Sequence, residues 1–141
     1  MFMLPKTHII LGAIFSIFIF FIFKITIFQA ALIFFASFLI DFDHYLWYIF
    51  KKKDFSSKRA FKIFIEELRF PKKPLFMVFH SLEFLIFIFI LSYFWTYFSF
   101  ILIGLIFHSI LDIIDLLKRG ILNKREFLLT RYLIKGKQHY T

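Results

Sequence analysis

The chain has 141 residues, 61% of them hydrophobic and 26 of them phenylalanine, with a net charge of +9 and a mean hydropathy of +0.81. That length allows one domain, and the apolar fraction exceeds the roughly one-half of a soluble one, which points away from a soluble globular fold. Cysteine is absent, which excludes disulfides, thiolate metal sites and cysteine nucleophiles.

Four apolar runs, at 5–23, 25–44, 75–95 and 97–117, approach the about 20 residues that a helix needs to cross a bilayer. They are continuously apolar rather than alternating, which predicts helices rather than a barrel. The expected fold is all-α: an integral membrane four-helix bundle forming one transmembrane domain over 1–141. The first run follows a short basic flank and lacks a small-x-small cleavage site, so it is read as a retained span. The second ends in Asp41, Asp43 and His44, three ionisable groups within four positions. Tyr45, Trp47 and Tyr48 then form an expected interfacial aromatic belt.

The loop 51–74 holds nine basic and three acidic residues. Within it Phe61, Phe64, Ile65 and Leu68 recur at i, i+3, i+4 and i+7, among Lys58, Arg59, Lys62, Glu66 and Arg69. That pattern predicts a cytoplasmic amphipathic helix lying on the membrane surface, begun by Asp54 or Ser56 and Ser57 and stopped by Pro71 and Pro74. The third run carries His80 and Glu83, and the fourth His108, Asp112 and Asp115, with Gly120 placed to end it. The tail 118–141 has seven basic residues and one acidic residue, and a second surface helix is expected over 124–134. Because both basic segments lie on one side of a four-span chain, the positive-inside rule places both termini and the 51–74 loop in the cytoplasm, beneath the cytoplasmic (inner) membrane. The basic balance is read as topology plus contact with anionic membrane lipids. Nucleic acid is not expected as a partner, and a homo-oligomer is left open.

Depth gives the ionisable groups a shared place. At about 1.5 Å per residue, His8 lies about 5 Å, His80 about 8 Å, Glu83 about 12 Å, Asp112 about 8 Å and His108 about 14 Å from the cytoplasmic end, with residues 41–44 at that end. Every span contributes, always in its inner half. His80 and Glu83 are i, i+3; His108 and Asp112 are i, i+4; Asp41 and His44 are i, i+3, so each pair is expected on one helix face. Carboxylates and imidazoles on facing helices are how bundle-core metal sites are built. With no thiolate, Zn, Mn or Fe are the candidate divalent metals. The donors exceed what one tetrahedral Zn takes, so one ion with ring-orienting neighbours and two ions both fit. An intramembrane acid costs roughly 2.5–3.5 kcal/mol on insertion scales and is functional by default, whereas a lone intramembrane histidine is more often a polar contact between helices. Asp115 stands beside Lys118 and Arg119 and is read as an ion pair. Asp41 and Asp43, at i, i+2, cannot share a face of a regular helix, so either the helix breaks there or only one of them is a ligand.

Thr7-His8 with Gly12, then Asp41-Phe42-Asp43-His44, then His80-Ser81, then His108-Ser109-Ile110-Leu111-Asp112 with Gly120 resemble, in that order, the membrane-bound metal-dependent hydrolases, also described as LexA-binding, inner-membrane-associated hydrolases. The resemblance covers most of the chain. It implies a small multi-span membrane protein with a divalent metal held by His8, Asp41, Asp43, His44, His80, His108 and Asp112. Met77, Val78 and Phe79 stand where that family often has an Arg-Gly and a Thr.

The leading expectation is a membrane-embedded metal-dependent hydrolase acting on a phospholipid or other phosphoester at the cytoplasmic leaflet, with Asp43 or Glu83 as general base. The alternative is a non-enzymatic metal- or proton-handling membrane protein, or a scaffold with a structural metal site. For transport, the outer half offers only Ser16, Thr26, Gln29, Ser92, Thr96 and Ser99.

Overall fold

A computed structural model of the chain describes residues 5–69, 75–122 and 125–138. It is helical almost throughout. In chain order the helices are α1 (Pro5–Phe23), α2 (Ile27–Leu39), α3 (Phe42–Lys52), α4 (Ser57–Arg69), α5 (Leu82–Phe94), α6 (Thr96–Lys118) and α7 (Leu129–Gln138). Two-residue strands β1 (Leu75–Phe76) and β2 (Arg125–Glu126) pair in parallel, Leu75 opposite Arg125 and Phe76 opposite Glu126. The side chains of residues 64–69 and 135–138 lie outside the described ones, and with them Phe64, Ile65 and Leu68 of the expected apolar face of α4.

α1 and α6 are each long and apolar enough to cross a membrane. α2 and α3 together pass the same test but are bent by 40° at their junction. α5 is apolar but has only 13 residues, about 20 Å against a hydrocarbon core of about 30 Å. α2 packs between α1 and α6, and α6 also packs on α5. Ile40, Ile88 and Leu105 form the buried apolar centre of that packing. Elsewhere the usual distribution is reversed. Phe21, Phe23, Ile27, Phe28 and Phe94 are exposed, while His8, Ser37, Asp43, His80 and His108 are buried. A chain with apolar groups outside and ionisable ones inside associates with a membrane, where lipid covers the former and protein must satisfy the latter.

Local chemistry sets most helix ends. Thr26 opens α2 with a capping box: its Oγ1 accepts the Gln29 N–H at 3.2 Å, and Gln29 Oε1 accepts the Thr26 N–H at 2.8 Å. α6 ends in a Schellman motif, with the Gly120 N–H on the Leu117 carbonyl at 3.0 Å and the Ile121 N–H on the Leu116 carbonyl at 3.1 Å. Gly120 takes φ +65°, where a side chain is disfavoured, and so ends α6, at the place expected for it.

Three expected boundaries shift. The second run is two helices, because around residues 40–41 the backbone tightens to three-residue spacing: Asp41 N–H to Phe38 O, Asp43 N–H to Ile40 O and His44 N–H to Asp41 O. The third run is helical only from Leu82. Residues 75–81 are a strap comprising β1, the extended Met77, one 3₁₀ turn over Val78–His80 and the extended Ser81. The tail helix begins at Leu129 rather than near 124, since Arg125 and Glu126 pair with the strap. Nor does the aromatic belt hold throughout: Tyr48 is buried and donates its hydroxyl to Asp54, and Tyr45 donates to the Phe55 carbonyl at 2.7 Å. Both hydroxyls lock the α3–α4 turn.

Candidate metal centre

The bend between α2 and α3 has a second consequence. A continuous helix would give the Asp41 N–H to the carbonyl of Ser37; here it goes to Phe38. The Ser37 carbonyl instead lies 2.8 Å from Nδ1 of His108 on α6. A carbonyl only accepts, so Nδ1 carries the proton and Nε2 presents a lone pair. His80 is fixed in the same sense. Its Nδ1 lies 3.0 Å from Asp43 Oδ2, an oxygen that also accepts the Phe79 N–H at 3.2 Å. The two Nε2 atoms face each other at 3.1 Å. Opposed lone pairs at that separation repel, so the arrangement calls for a cation, a metal ion or a shared proton, beside both.

Two carboxylate oxygens complete the surroundings. Asp41 Oδ1 lies 3.6 Å from His80 Nε2 and 3.5 Å from His108 Nε2; Asp112 Oδ2 lies 3.5 Å from each. With the 3.1 Å between the nitrogens, these are five of the six pairings among the four atoms. Donors around a tetrahedral Zn at about 2.0–2.1 Å are spaced about 3.3–3.4 Å apart. Each of the five distances lies within a few tenths of an ångström of that spacing. His44 and His8 flank them. His44 Nε2 is 3.4 Å from Asp41 Oδ1, and His8 Nε2 is 3.4 Å from Asp112 Oδ1. His8 also stacks on His108 with centroids 4.4 Å apart. Taken as triads, His8, His108 and Asp112, and likewise Asp41, His44 and His80, each offer donor atoms within 4.8 Å of one another.

Six of the expected ligands thus converge, and Asp43 stands behind them, holding the His80 ring from its far side. Asp41 lies in the break between α2 and α3 and Asp43 in the first turn of α3, so the two reach the cluster from different sides. Glu83 does not join. Ser81, with φ −80° and ψ 151°, turns the chain between His80 and Glu83, so the two never share a helix face. Glu83 Oε1 instead accepts the Thr130 N–H at 3.2 Å. Glu83, expected as a general base, thus bonds α7 rather than the converging histidines, and Asp43, expected as a ligand or base, contacts His80 Nδ1 and the Phe79 N–H. Asp115 pairs with Arg119 at 2.7 Å, the i, i+4 ion pair expected of it.

The sequence carried no signal for the Ser37 carbonyl. Its accomplice was partly visible: a Cβ on Gly12 would meet Ser37 Oγ at 2.1 Å, so this glycine lets α1 approach α2 there. The side chains of Asp41 and Asp112 are 20% and 15% exposed, against 3% for His80 and 0% for His108, so the centre opens along its carboxylate edge. Comparison with protein-family models, curated proteins and solved structures finds no match to this chain.

Proposed function

We propose that the chain is a four-pass bundle of the cytoplasmic membrane, with both termini and the 51–74 loop cytoplasmic, that holds a divalent metal between His80, His108, Asp41 and Asp112 and hydrolyses a phosphoester at the inner leaflet. The observation that carries this reading is the convergence of two histidine nitrogens, 3.1 Å apart, with two carboxylate oxygens 3.5–3.6 Å from each, both rings being oriented from behind. The motif order that resembles the membrane-bound metal-dependent hydrolases supports it. In this reading α5 and the strap before it make the third passage, irregular backbone at that depth being tolerated where protein buries it. The lysines and arginines of 51–74 and of the tail supply the positive surroundings that an anionic lipid headgroup needs.

A bound divalent ion would supply Lewis acidity and a water acidified toward neutral pH. The chain supplies the rest. Asp43 and the Ser37 carbonyl hold the rings of His80 and His108. Substrate enters along the more exposed edge formed by Asp41 and Asp112. His44 and His8, each against one of those carboxylates, are the groups placed to take up and return a proton.

A second reading has its own observation: two imidazoles and two carboxylates come together, as many protein donors as a closed structural site uses. One experiment separates the two. Metal is measured by elemental analysis of detergent-purified wild type and Asp112→Ala, followed by assay of phosphorylated lipids with and without EDTA. About one Zn, Mn or Fe per chain, lost in Asp112→Ala, together with hydrolysis that EDTA and His80→Ala abolish, is the expected result. Metal without EDTA-sensitive hydrolysis establishes the structural site. Absence of metal after reconstitution overturns both and leaves the shared proton.

A further inference from the structure

We infer that the C-terminal segment 125–130 is a clasp that sets the position of His80, with Glu83 as its latch and hence a positioning residue for the metal centre. The inference rests on the metal reading above.

Among the converging histidines and aspartates, His80 alone is carried by a strap with scarcely any secondary structure of its own. It sits in one 3₁₀ turn, between Met77 at φ −125°, ψ 126° and Ser81 at φ −80°, ψ 151°. A segment with few internal hydrogen bonds takes its position from what it is bonded to. On one side that is Asp43, through the Phe79 N–H and His80 Nδ1. On the other it is the tail, which grips the strap both before and after His80. Before it, Leu75 and Phe76 pair with Arg125 and Glu126. After it, the Leu82 N–H donates to the Phe127 carbonyl at 2.9 Å. Glu83 Oε1 accepts from the Thr130 N–H at 3.2 Å and from its hydroxyl at 3.4 Å.

The last pair of bonds is the chemically specific one. Thr130 lies in the first turn of α7, where unpaired N–H groups and the helix dipole favour an anion. The carboxylate of Glu83 fills that place from another helix and ties α7 to the first turn of α5. Met77, His80, Ser81 and Glu126 are all buried at this junction, so strap and tail form one packed unit. His8, Asp41, His44, His108 and Asp112 lie on or between α1, α2, α3 and α6, outside the bracketed strap. Loosening the clasp should therefore move the His80 nitrogen away from His108 and leave the other donors in place.

The test uses the full chain in detergent, with Zn(II) affinity read by chelator competition and amide hydrogen exchange read over 77–82. Glu83→Ala is expected to weaken Zn(II) binding about tenfold, the lower end for an outer partner of a ligand. Glu83→Gln, which keeps a carbonyl acceptor, is expected to weaken it less. Exchange over 77–82 should rise in Glu83→Ala while α1 and α2 stay as in wild type. In a His80→Ala background, Glu83→Ala should add nothing to the loss of affinity, since the effect runs through that ring. An equal loss in both backgrounds, or unchanged exchange over 77–82, overturns the clasp. Wild type that binds no Zn(II) overturns the metal reading alone, and the exchange measurement then decides the clasp by itself.

Discussion

Asp43 and Asp112 have the same side chain and opposite uses. Asp112 contributes an oxygen to the converging donors, whereas Asp43 holds the His80 ring in the tautomer that leaves Nε2 able to bind. Removing a donor and removing an orienting group differ in severity. Asp112→Ala should abolish metal binding, whereas Asp43→Asn, which still offers an acceptor to Nδ1, should lower affinity about 10- to 100-fold without abolishing it; titration of both purified variants with Zn(II) checks this. Outside the membrane-spanning helices, Asp54 carries a pH dependence. The Arg59 guanidinium, then the Tyr48 hydroxyl and the Ser56 N–H, hold its carboxyl below the ordinary 3.8. A depressed folded-state pKa gives stability that is fully present above the unfolded value and lost as pH falls through the folded one. The difference in thermal stability between wild type and Asp54→Asn should thus be flat above about pH 5 and shrink below about pH 4. It should also be small, because the Arg59 side chain is 69% exposed and water screens the pair.

At the scale of elements, two glycines decide how closely helices approach. A Cβ on Gly104 of α6 would stand 2.4 Å from the Ile33 carbonyl oxygen of α2, an atom that cannot rotate away. The clash at Gly12 is with Ser37 Oγ, the movable end of a side chain, although Ser37 Cβ lies only 3.1 Å off. Gly104→Ala should therefore destabilise by about 1–3 kcal/mol, as overpacking does, and Gly12→Ala by less. Thermal unfolding of both variants in one detergent orders them. Gly104→Ala should also weaken metal binding, because it pushes His108, one turn further along α6, away from the Ser37 carbonyl. The bend between α2 and α3 works at the same scale. It frees that carbonyl and leaves Asp41 beside the two Nε2 atoms while Asp43, two residues on, holds the far side of the His80 ring.

For the whole molecule, the proposed four passes are open to a direct check in a chain without cysteine. Single cysteines at Ser57→Cys and Lys118→Cys should react with an impermeant maleimide only from the cytoplasmic face, and one at Trp95→Cys only from the other. Labelling of all three from one side would remove the four-pass arrangement. Several of the polar side chains a transport path would use are engaged locally. Ser16 donates to the Ala13 carbonyl, Ser92 to the Phe89 carbonyl, and Thr26 and Gln29 cap each other's backbone. These four polar side chains thus bond within their own helices.

Sequence alone determined what short-range chemistry controls: helical type, an apolar exterior, the Gly120 stop, the Asp115–Arg119 pair, and the histidines and aspartates from which the cluster is drawn. Composition, periodicity and i, i+4 spacing act within a few residues and need no partner. Tertiary structure alone decided which of those groups meet. His80 and Glu83 were read as one helix face, but the backbone N–H groups a helix would have used are taken up elsewhere. Asp43 accepts the Phe79 N–H from 36 residues away, and Phe127 accepts the Leu82 N–H from further along the chain. The same long-range competition breaks the helix at Asp41, gives the Ser37 carbonyl to His108, and separates the carboxylates that converge from those that orient or clasp. No window of sequence contains both partners of those bonds, so only the folded chain could assign them.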